Sequence, residues 1–167
     1  MDLRPAGNGP HQLLLQGVVD RNFRAVQAAL EAGASVNGSP EYPLSPIAAA
    51  TIANQFAVVN FLLSQGADPN RPFPVDMPCP AMPEVAAVIP GERALHIAAR
   101  NGNVEIVSLL LQQGRADPNV TDIRGYTPLN ATCDSMHVFV DAVVQLLLDA
   151  GADPAVADNN GFVPLHI

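Results

Sequence analysis

The sequence of 167 residues contains no lysine and no tryptophan, and it has only two cysteines. Without lysine the chain cannot perform P-loop, Schiff-base or lysine-nucleophile chemistry. Cys79 and Cys133 are too few for a disulfide framework, so nothing in the composition indicates an oxidising compartment. The first residues also lack the apolar core of a secretory signal peptide. We therefore expect an intracellular location, cytoplasmic or nuclear.

Basic residues are scarce as a class. Eight arginines stand against sixteen acidic residues, which gives a net charge of −8 and a pI near 4.7. Binding to nucleic acid or to an anionic membrane is not expected, because both depend on Lys and Arg to neutralise phosphate. The charge favours a protein partner with a basic surface. Residues 42–67 carry no formal charge, but polar residues and Pro46 interrupt them, so no membrane span is predicted.

Self-similar segments recur along the chain. Each leucine-rich stretch ends in a Gly-Ala-type turn, at Gly33, Gly66, Gly114 and Gly151. Successive turn glycines are 33, 48 and 37 residues apart. The second spacing equals 33 plus 15 residues, and the third equals 33 plus 4. A second motif runs in phase with the first. Its two good copies are Gly125-Tyr126-Thr127-Pro128-Leu129-Asn130 and Gly161-Phe162-Val163-Pro164-Leu165-His166, and degenerate copies begin at Ser45 and Arg93.

These phased motifs resemble the ankyrin-repeat family, whose 33-residue unit carries a T-P-L-H-x-A motif. The resemblance implies an all-α repeat solenoid, a stack of helix-turn-helix units with hairpin-like fingers. The repeats would span 11–38, 39–71, 91–121 and 122–157, with a partial repeat at 158–167 and a disordered N-terminus at 1–10. Local chemistry agrees, since Ser45 and Thr127 are suitable N-caps before a proline, and each turn glycine suits a left-handed helix end.

An insert separates repeats two and three. Residues 71–90 contain six prolines, a density that blocks helices and strand ladders and predicts an extended, semi-rigid loop. Two interpretations stay open. The loop folds back onto its own finger, or it is a recognition element that presents Phe73 and Met77 to a partner. On the second interpretation, deletion of 71–90 should leave the fold largely intact and weaken binding.

Candidate chemistry is sparse. Cys133 and His137 have a C-x-x-x-H spacing, but zinc needs about four ligands and no further Cys or His lies nearby, so no metal site is predicted. The resemblance implies that the motif histidines, His96 and His166, form hydrogen bonds with backbone between repeats. No phosphate-binding or nucleophile motif is present. We expect no enzyme activity and no cofactor.

The resemblance implies binding to other proteins through the fingers and the exposed side of the first helix of each repeat. Matched position by position, and with the insert included, the candidate contact residues are Tyr42, Leu44, Phe73, Met77, Glu92, Arg100, Asn101, Arg124, Tyr126, Asp134 and Phe162. The aromatic rings among them either contact a partner or pack against neighbouring fingers. The predicted function is a non-catalytic interaction module, a scaffold or adaptor. The alternatives are a stand-alone ankyrin-type inhibitor of a kinase or other enzyme, and the targeting region of a larger enzyme that continues past Ile167.

Overall fold

The computed structural model describes residues 9–38, 44–74, 89–135 and 139–164. Within these ranges it contains eight α-helices and no strand, so the all-α expectation is confirmed. The helices form four consecutive pairs, one in each full repeat predicted from the sequence. They are α1 (Pro10–Val19) with α2 (Phe23–Glu31), α3 (Pro46–Ile52) with α4 (Phe56–Ser64), α5 (Ala94–Arg100) with α6 (Val104–Gln112), and α7 (Pro128–Cys133) with α8 (Val140–Asp149).

The first helices α3, α5 and α7 span only six or seven residues, and a side-chain hydroxyl caps two of them. The Ser45 hydroxyl accepts the Ala48 N–H at 3.3 Å, and the Thr127 hydroxyl accepts the Asn130 N–H at 3.3 Å. A proline follows each of these caps, where no N–H is required. The faces of α3 and α5 are built from fully buried alanines, which lets α1, α3, α5 and α7 stack closely.

The second helices form an outer layer over this stack. Val59, Leu62, Leu110 and Leu147 are fully buried between the two layers and belong to one continuous core. Burying an aliphatic side chain of this size contributes about 1.5–3 kcal/mol. Since each repeat covers its neighbour, the core is continuous along the array, as a solenoid requires.

Glycine ends three of the four second helices in the left-handed conformation, as predicted: φ is 95° at Gly33, 84° at Gly66 and 89° at Gly151. The prediction for Gly114 is wrong. At this turn the left-handed residue is Arg115, with φ of 51°. Arg115 is the one extra residue in this copy of the turn, and its insertion moves the left-handed position by one residue.

Asparagine side chains connect the turns of successive repeats. Each asparagine follows an Asp-Pro or Ser-Val pair, and its Oδ1 accepts the backbone N–H of an aspartate in the next turn. The pairs are Asn37 with Asp68 at 2.7 Å, Asn70 with Asp117 at 2.9 Å, and Asn119 with Asp153 at 2.7 Å. The same contact is therefore repeated at three successive repeat boundaries.

The two ends of the Pro-rich insert are held together. The Phe73 N–H donates to the Glu92 carbonyl at 2.6 Å, and the Gly91 N–H donates to the Phe73 carbonyl at 2.9 Å. We call this contact the insert neck. Residues 75–88 lie outside the described residues, and the insert neck is where the chain leaves the array and rejoins it.

No helix in the described ranges combines the length and the apolar character needed to cross a bilayer.

Candidate functional site

The structure separates the eleven candidate contact residues into three groups. Tyr42 and Met77 lie outside the described residues. Leu44, Phe73 and Glu92 are buried. The other six are accessible at least in part: Arg100, Asn101, Arg124, Tyr126, Asp134 and Phe162.

The three buried residues are corrections to the predicted contact set. The exposed fractions of Leu44, Phe73 and Glu92 are 1%, 6% and 0%, so none of these side chains can reach a partner in this conformation. Leu44 directly precedes the N-cap of α3 and packs into the core. The Phe73 ring packs into the same core, because the insert neck fixes its backbone there. Phe73 therefore anchors the insert rather than presenting it.

Glu92 is held inside by its partners. One carboxylate oxygen accepts the Ile89 N–H at 2.9 Å, and the other pairs with the Arg100 guanidinium at 2.5 Å. Burial raises the pKa of Glu92 above its ordinary value, and the Ile89 hydrogen bond and the Arg100 charge offset part of that increase. The Arg100 side chain is engaged in this pair and is only 24% exposed. Glu92 thus fixes the exit of the insert to the end of α5.

Two tight turns carry the accessible aromatic candidates. We call them finger four (residues 122–126) and finger five (residues 158–162). In finger four the Asp122 carboxylate accepts the N–H groups of Arg124 at 2.8 Å and Tyr126 at 2.9 Å. In finger five the Asp158 carboxylate accepts the Phe162 N–H in the same way, at 2.8 Å. A buried aspartate therefore fixes each turn from inside.

The carboxylate of Asp158 is stabilised in its charged form. Burial opposes that charge, but hydrogen bonds from the backbone N–H groups of Phe162 and Asn160 outweigh it and hold the pKa of Asp158 below its ordinary value. The turn therefore keeps its internal hydrogen bonds at neutral pH.

Arg124 and Tyr126 form one rigid unit on finger four. The guanidinium lies over the Tyr126 ring, 4.1 Å from its centroid, and its Nε and Nη2 atoms both lie 2.9 Å from the Asp122 carboxylate. Such cation–π contacts contribute about 0.5–1 kcal/mol at exposed sites. Both side chains keep part of their surface open to solvent. They are ordered before any partner arrives.

Hydrogen bonds connect the fingers side by side. Asn159 of finger five donates its backbone N–H to the Arg124 carbonyl and its Nδ2 to the Ile123 carbonyl, both at 2.9 Å. Ile123 in turn donates its N–H to the Pro90 carbonyl at the end of the insert, at 3.2 Å. The exposed side chains of Ile123 (57%) and Phe162 (71%) thus stand on one connected surface beside the insert exit.

A cleft of about 240 Å³ lies between finger five and α7. It brings together three of the candidates, Tyr126, Asp134 and Phe162. Arg100 and Asn101 do not line it; they lie at the end of α5. The other lining residues, which are not among the candidates, are Asn130, Cys133, Asp158, Val163 and Pro164.

A signal for Asn130 was present in the sequence. The motif copy at 127–130 ends in asparagine, whereas the copies at 93–96 and 163–166 end in histidine. A histidine replaced by a shorter side chain at one repeat boundary indicates a changed contact there. Val163 gave no such signal, because its 41% exposure depends on how finger five lies over α7.

His96 has the structural role that the resemblance implied. Its Nδ1 accepts the Arg93 N–H at 3.2 Å, so its Nε2 carries the proton and donates to the Tyr126 carbonyl at 2.9 Å in the next repeat. Burial lowers the pKa of His96 to about 4, although the Tyr126 hydrogen bond opposes that effect. The imidazole is therefore neutral at physiological pH. Within the described ranges, no group of three His, Cys, Asp or Glu side chains could hold a metal ion.

Comparison with known families agrees with this geometry. A family model described as ankyrin repeats in three copies matches residues 95–167, and one described as ankyrin repeats in many copies matches residues 46–111. The two matches together extend from residue 46 to residue 167, which includes α3 to α8 and both fingers.

Among curated proteins, two spider proteins from Latrodectus tredecimguttatus are similar to this chain. The alpha-latrocrustotoxin-Lt1a is 29% identical over 96 residues, which cover 58% of this chain, and the alpha-latroinsectotoxin-Lt1a is 33% identical over 103 residues, which cover 62% of it. In each case the matched segment spans 6% of the relative's length. The likeness is therefore confined to a small part of much longer proteins.

Proposed function

The chain belongs to the ankyrin-repeat family, and we propose that it is a non-catalytic module that binds a protein partner through fingers four and five and the adjoining face of α7. Ankyrin repeats are in general protein–protein interaction modules. The more specific proposal, a scaffold or adaptor surface centred on these fingers, is supported mainly by the exposure of Phe162. This ring is 71% exposed, yet Asp158 holds its backbone in a fixed turn.

An exposed aromatic side chain on a fixed turn is well suited to binding. Aromatic side chains and Arg are enriched among residues that dominate binding energy at protein interfaces. Because the turn is already ordered, little conformational entropy is lost when a partner docks. Arg124 and Tyr126, stacked on the adjacent finger, extend the same surface.

The charge of the chain supports a partner with a basic surface. The net charge is −8, and Asp134, which directly follows α7, is exposed at the cleft. Complementary charge increases association rate and specificity more than it increases affinity. The partner we propose is not a nucleic acid, because the chain has no lysine and few basic residues to neutralise phosphate. We also propose an intracellular location, cytoplasmic or nuclear, because cysteines are few.

The proposal can be tested without knowledge of the natural partner. A phage-displayed library of random peptides is selected on the purified chain, and enriched peptides are measured against Phe162→Ala, Tyr126→Ala and Phe56→Ala. Phe56 is the matched control, since it is 47% exposed but lies at the start of α4, away from the fingers.

We expect the two finger variants to bind the enriched peptides about tenfold or more weakly, as for loss of an aromatic hot spot. The Phe56→Ala variant should bind them like the wild type. Equal loss in all three variants, or no loss in any, would remove the support for this surface.

A further inference from the structure

The boundary between repeats three and four differs from the boundary after repeat four in the side chain that could span it. At the first boundary His96 spans the gap and donates to the Tyr126 carbonyl at 2.9 Å. The corresponding positions at the next boundary are Asn130 and Phe162. The amide of Asn130 is shorter than an imidazole, and it turns back toward its own helix. Its Oδ1 accepts both the N–H of Thr127 at 3.0 Å and its hydroxyl at 2.6 Å.

Asparagine in place of histidine leaves one buried polar group, the Asn130 Nδ2, without a partner in the described part of the chain. Asn130 is only 7% exposed, and its Nδ2 donates to no described residue. The Tyr126 carbonyl accepts two hydrogen bonds, from the Asp122 N–H and from His96, whereas the Phe162 carbonyl accepts one, from the Asp158 N–H at 2.8 Å. A buried donor without a partner is unfavourable, and such groups are usually satisfied by a ligand or by water.

The cleft of about 240 Å³ lies at this boundary. Asn130 and Phe162 both line it, Tyr126 adds an aromatic wall, and Val163 adds an aliphatic one. The exposed Asp134 stands at its rim. The cleft thus offers a buried hydrogen-bond donor, a carbonyl acceptor, apolar walls and the charge of Asp134 at its edge, whereas the Asp158 carboxylate in its lining already accepts hydrogen bonds from finger five.

We propose that this cleft binds a peptide segment of the partner in which an aliphatic residue precedes an arginine or lysine. The backbone carbonyl of the segment accepts from Asn130 Nδ2, and its next N–H donates to the Phe162 carbonyl. The aliphatic side chain lies between Tyr126 and Phe162, and the basic side chain pairs with Asp134. This inference rests on the proposed function, because it assigns the chemistry of the partner at the same surface.

Charge complementarity is the reason to name a basic side chain. Asp134 is exposed, and the chain as a whole is strongly acidic. Arg124, which stacks on the cleft residue Tyr126, is already paired with Asp122. The rim therefore carries an acidic group whose charge a basic residue of the partner can neutralise.

The test uses small capped peptides as probes and the Asn130→His variant as the key comparison. In a ¹H–¹⁵N NMR titration the Asn130 side-chain amide and the Phe162 backbone amide are followed as Ac-Leu-Arg-NH₂ is added. Ac-Leu-Glu-NH₂ and Ac-Gly-Arg-NH₂ are the matched controls for the charge and for the aliphatic side chain. In Asn130→His the imidazole found at position 96 is placed at the second boundary, where it should close the cleft.

For the wild type we expect saturable shifts with Ac-Leu-Arg-NH₂ in the millimolar range, typical of a ligand this small. Binding should be about fivefold weaker when either control peptide is used. In Asn130→His, which is followed at the Phe162 amide, we expect no saturable shift, and the variant should melt about 2–4 °C higher, because a buried donor gains its partner. If Asn130→His fails to fold, Phe162→Ala replaces it as the variant that must weaken binding.

The inference is overturned if the wild type shows no saturable shift at Asn130 or Phe162, or if the Phe162 amide of Asn130→His shifts like that of the wild type. Equal binding of the Leu-Arg and Leu-Glu peptides would overturn the choice of a basic side chain. The failure of the proposed function looks different. If library-selected peptides bind Asn130→His normally but not Phe162→Ala, the finger surface stands and the cleft inference is wrong. If neither variant affects them, the proposed function itself is wrong.

Discussion

His96 and Tyr126 are joined across a repeat boundary by a hydrogen bond of 2.9 Å from Nε2 to the carbonyl oxygen. The contact is made by a neutral imidazole inside the core, and it fixes the base of finger four relative to α5. The position of the exposed Arg124–Tyr126 pair therefore depends on a buried side chain of the preceding repeat.

The first prediction concerns pH. The pKa of His96 is about 4 when folded and about 6.5 when unfolded, so between these values the unfolded chain binds more protons than the folded one. The contribution of His96 to stability is complete above pH 6.5 and is lost as the pH falls toward 4. From pH 7 to pH 5 we expect the free energy of unfolding to decrease by about 2 kcal/mol from this residue.

The measurement is urea unfolding of the wild type and of His96→Asn at both pH values. Asparagine occupies the same position in repeat four and caps its helix there, so this variant should remain folded. The decrease in the free energy of unfolding between pH 7 and pH 5 should be smaller in this variant by the contribution of His96, because all other titrating groups contribute equally to both proteins. An identical pH dependence in the two proteins would show that His96 does not titrate as described.

The second prediction concerns Glu92, which is fully buried against Arg100. Glu92→Ala should destabilise the chain by about 2–3 kcal/mol, because it leaves the Ile89 N–H and a mostly shielded guanidinium without a partner. Glu92→Gln should cost clearly less, since the amide can still accept a hydrogen bond and no charge has to be buried. Chemical denaturation at pH 7 measures the free energy of unfolding of both variants. A larger loss in Glu92→Gln than in Glu92→Ala would contradict the prediction.

The third prediction corrects the deletion expected from the sequence. Removal of 71–90 would take away Phe73, which is a core residue and forms one side of the insert neck. That deletion should cost about 3–5 kcal/mol, as for loss of a buried phenylalanine. Replacement of only 75–88 by a Gly-Ser-Gly linker keeps the neck and should leave cooperative unfolding nearly unchanged. Thermal unfolding followed by circular dichroism distinguishes the two, and equal losses would mean that 75–88 also stabilise the fold.

The fourth prediction concerns the asparagines that connect successive turns. Asn119 accepts the Asp153 N–H and donates to the Gly151 carbonyl at 3.0 Å. Asn119→Ala should therefore cost about 1 kcal/mol. Ala155 holds the corresponding place in the following turn, and Ala155→Asn is the matched control. We expect this reverse change to leave the free energy of unfolding in urea unchanged. An increase equal to the loss in Asn119→Ala would show that the effect of the asparagine is local to its own turn.

Sequence reasoning was sufficient where the structure depends on local chemistry. The helix pairs, the caps at Ser45 and Thr127 and most of the glycine helix ends follow from motifs of a few residues. The turns of fingers four and five also follow from short motifs, which is why Tyr126 and Phe162 were mapped to an accessible surface.

The mapping failed where distant segments meet. Position within a repeat could not show that the insert folds Phe73 back against Glu92, which buries both. Likewise, a Gly-Ala turn pattern does not show which residue becomes left-handed when Arg115 is added. The cleft depends on the relative placement of α7 and finger five, which no short motif determines. Its one signal in the sequence is the contrast between His96 and Asn130 at the same motif position.

The most direct test of the central claim is amide hydrogen exchange, read by mass spectrometry, on the chain with and without its tightest library-selected peptide. Binding through the fingers predicts slower exchange in segments covering 122–135 and 158–164, and unchanged exchange in α2 and α4. Protection of α2 and α4 with no change in either finger would contradict the account.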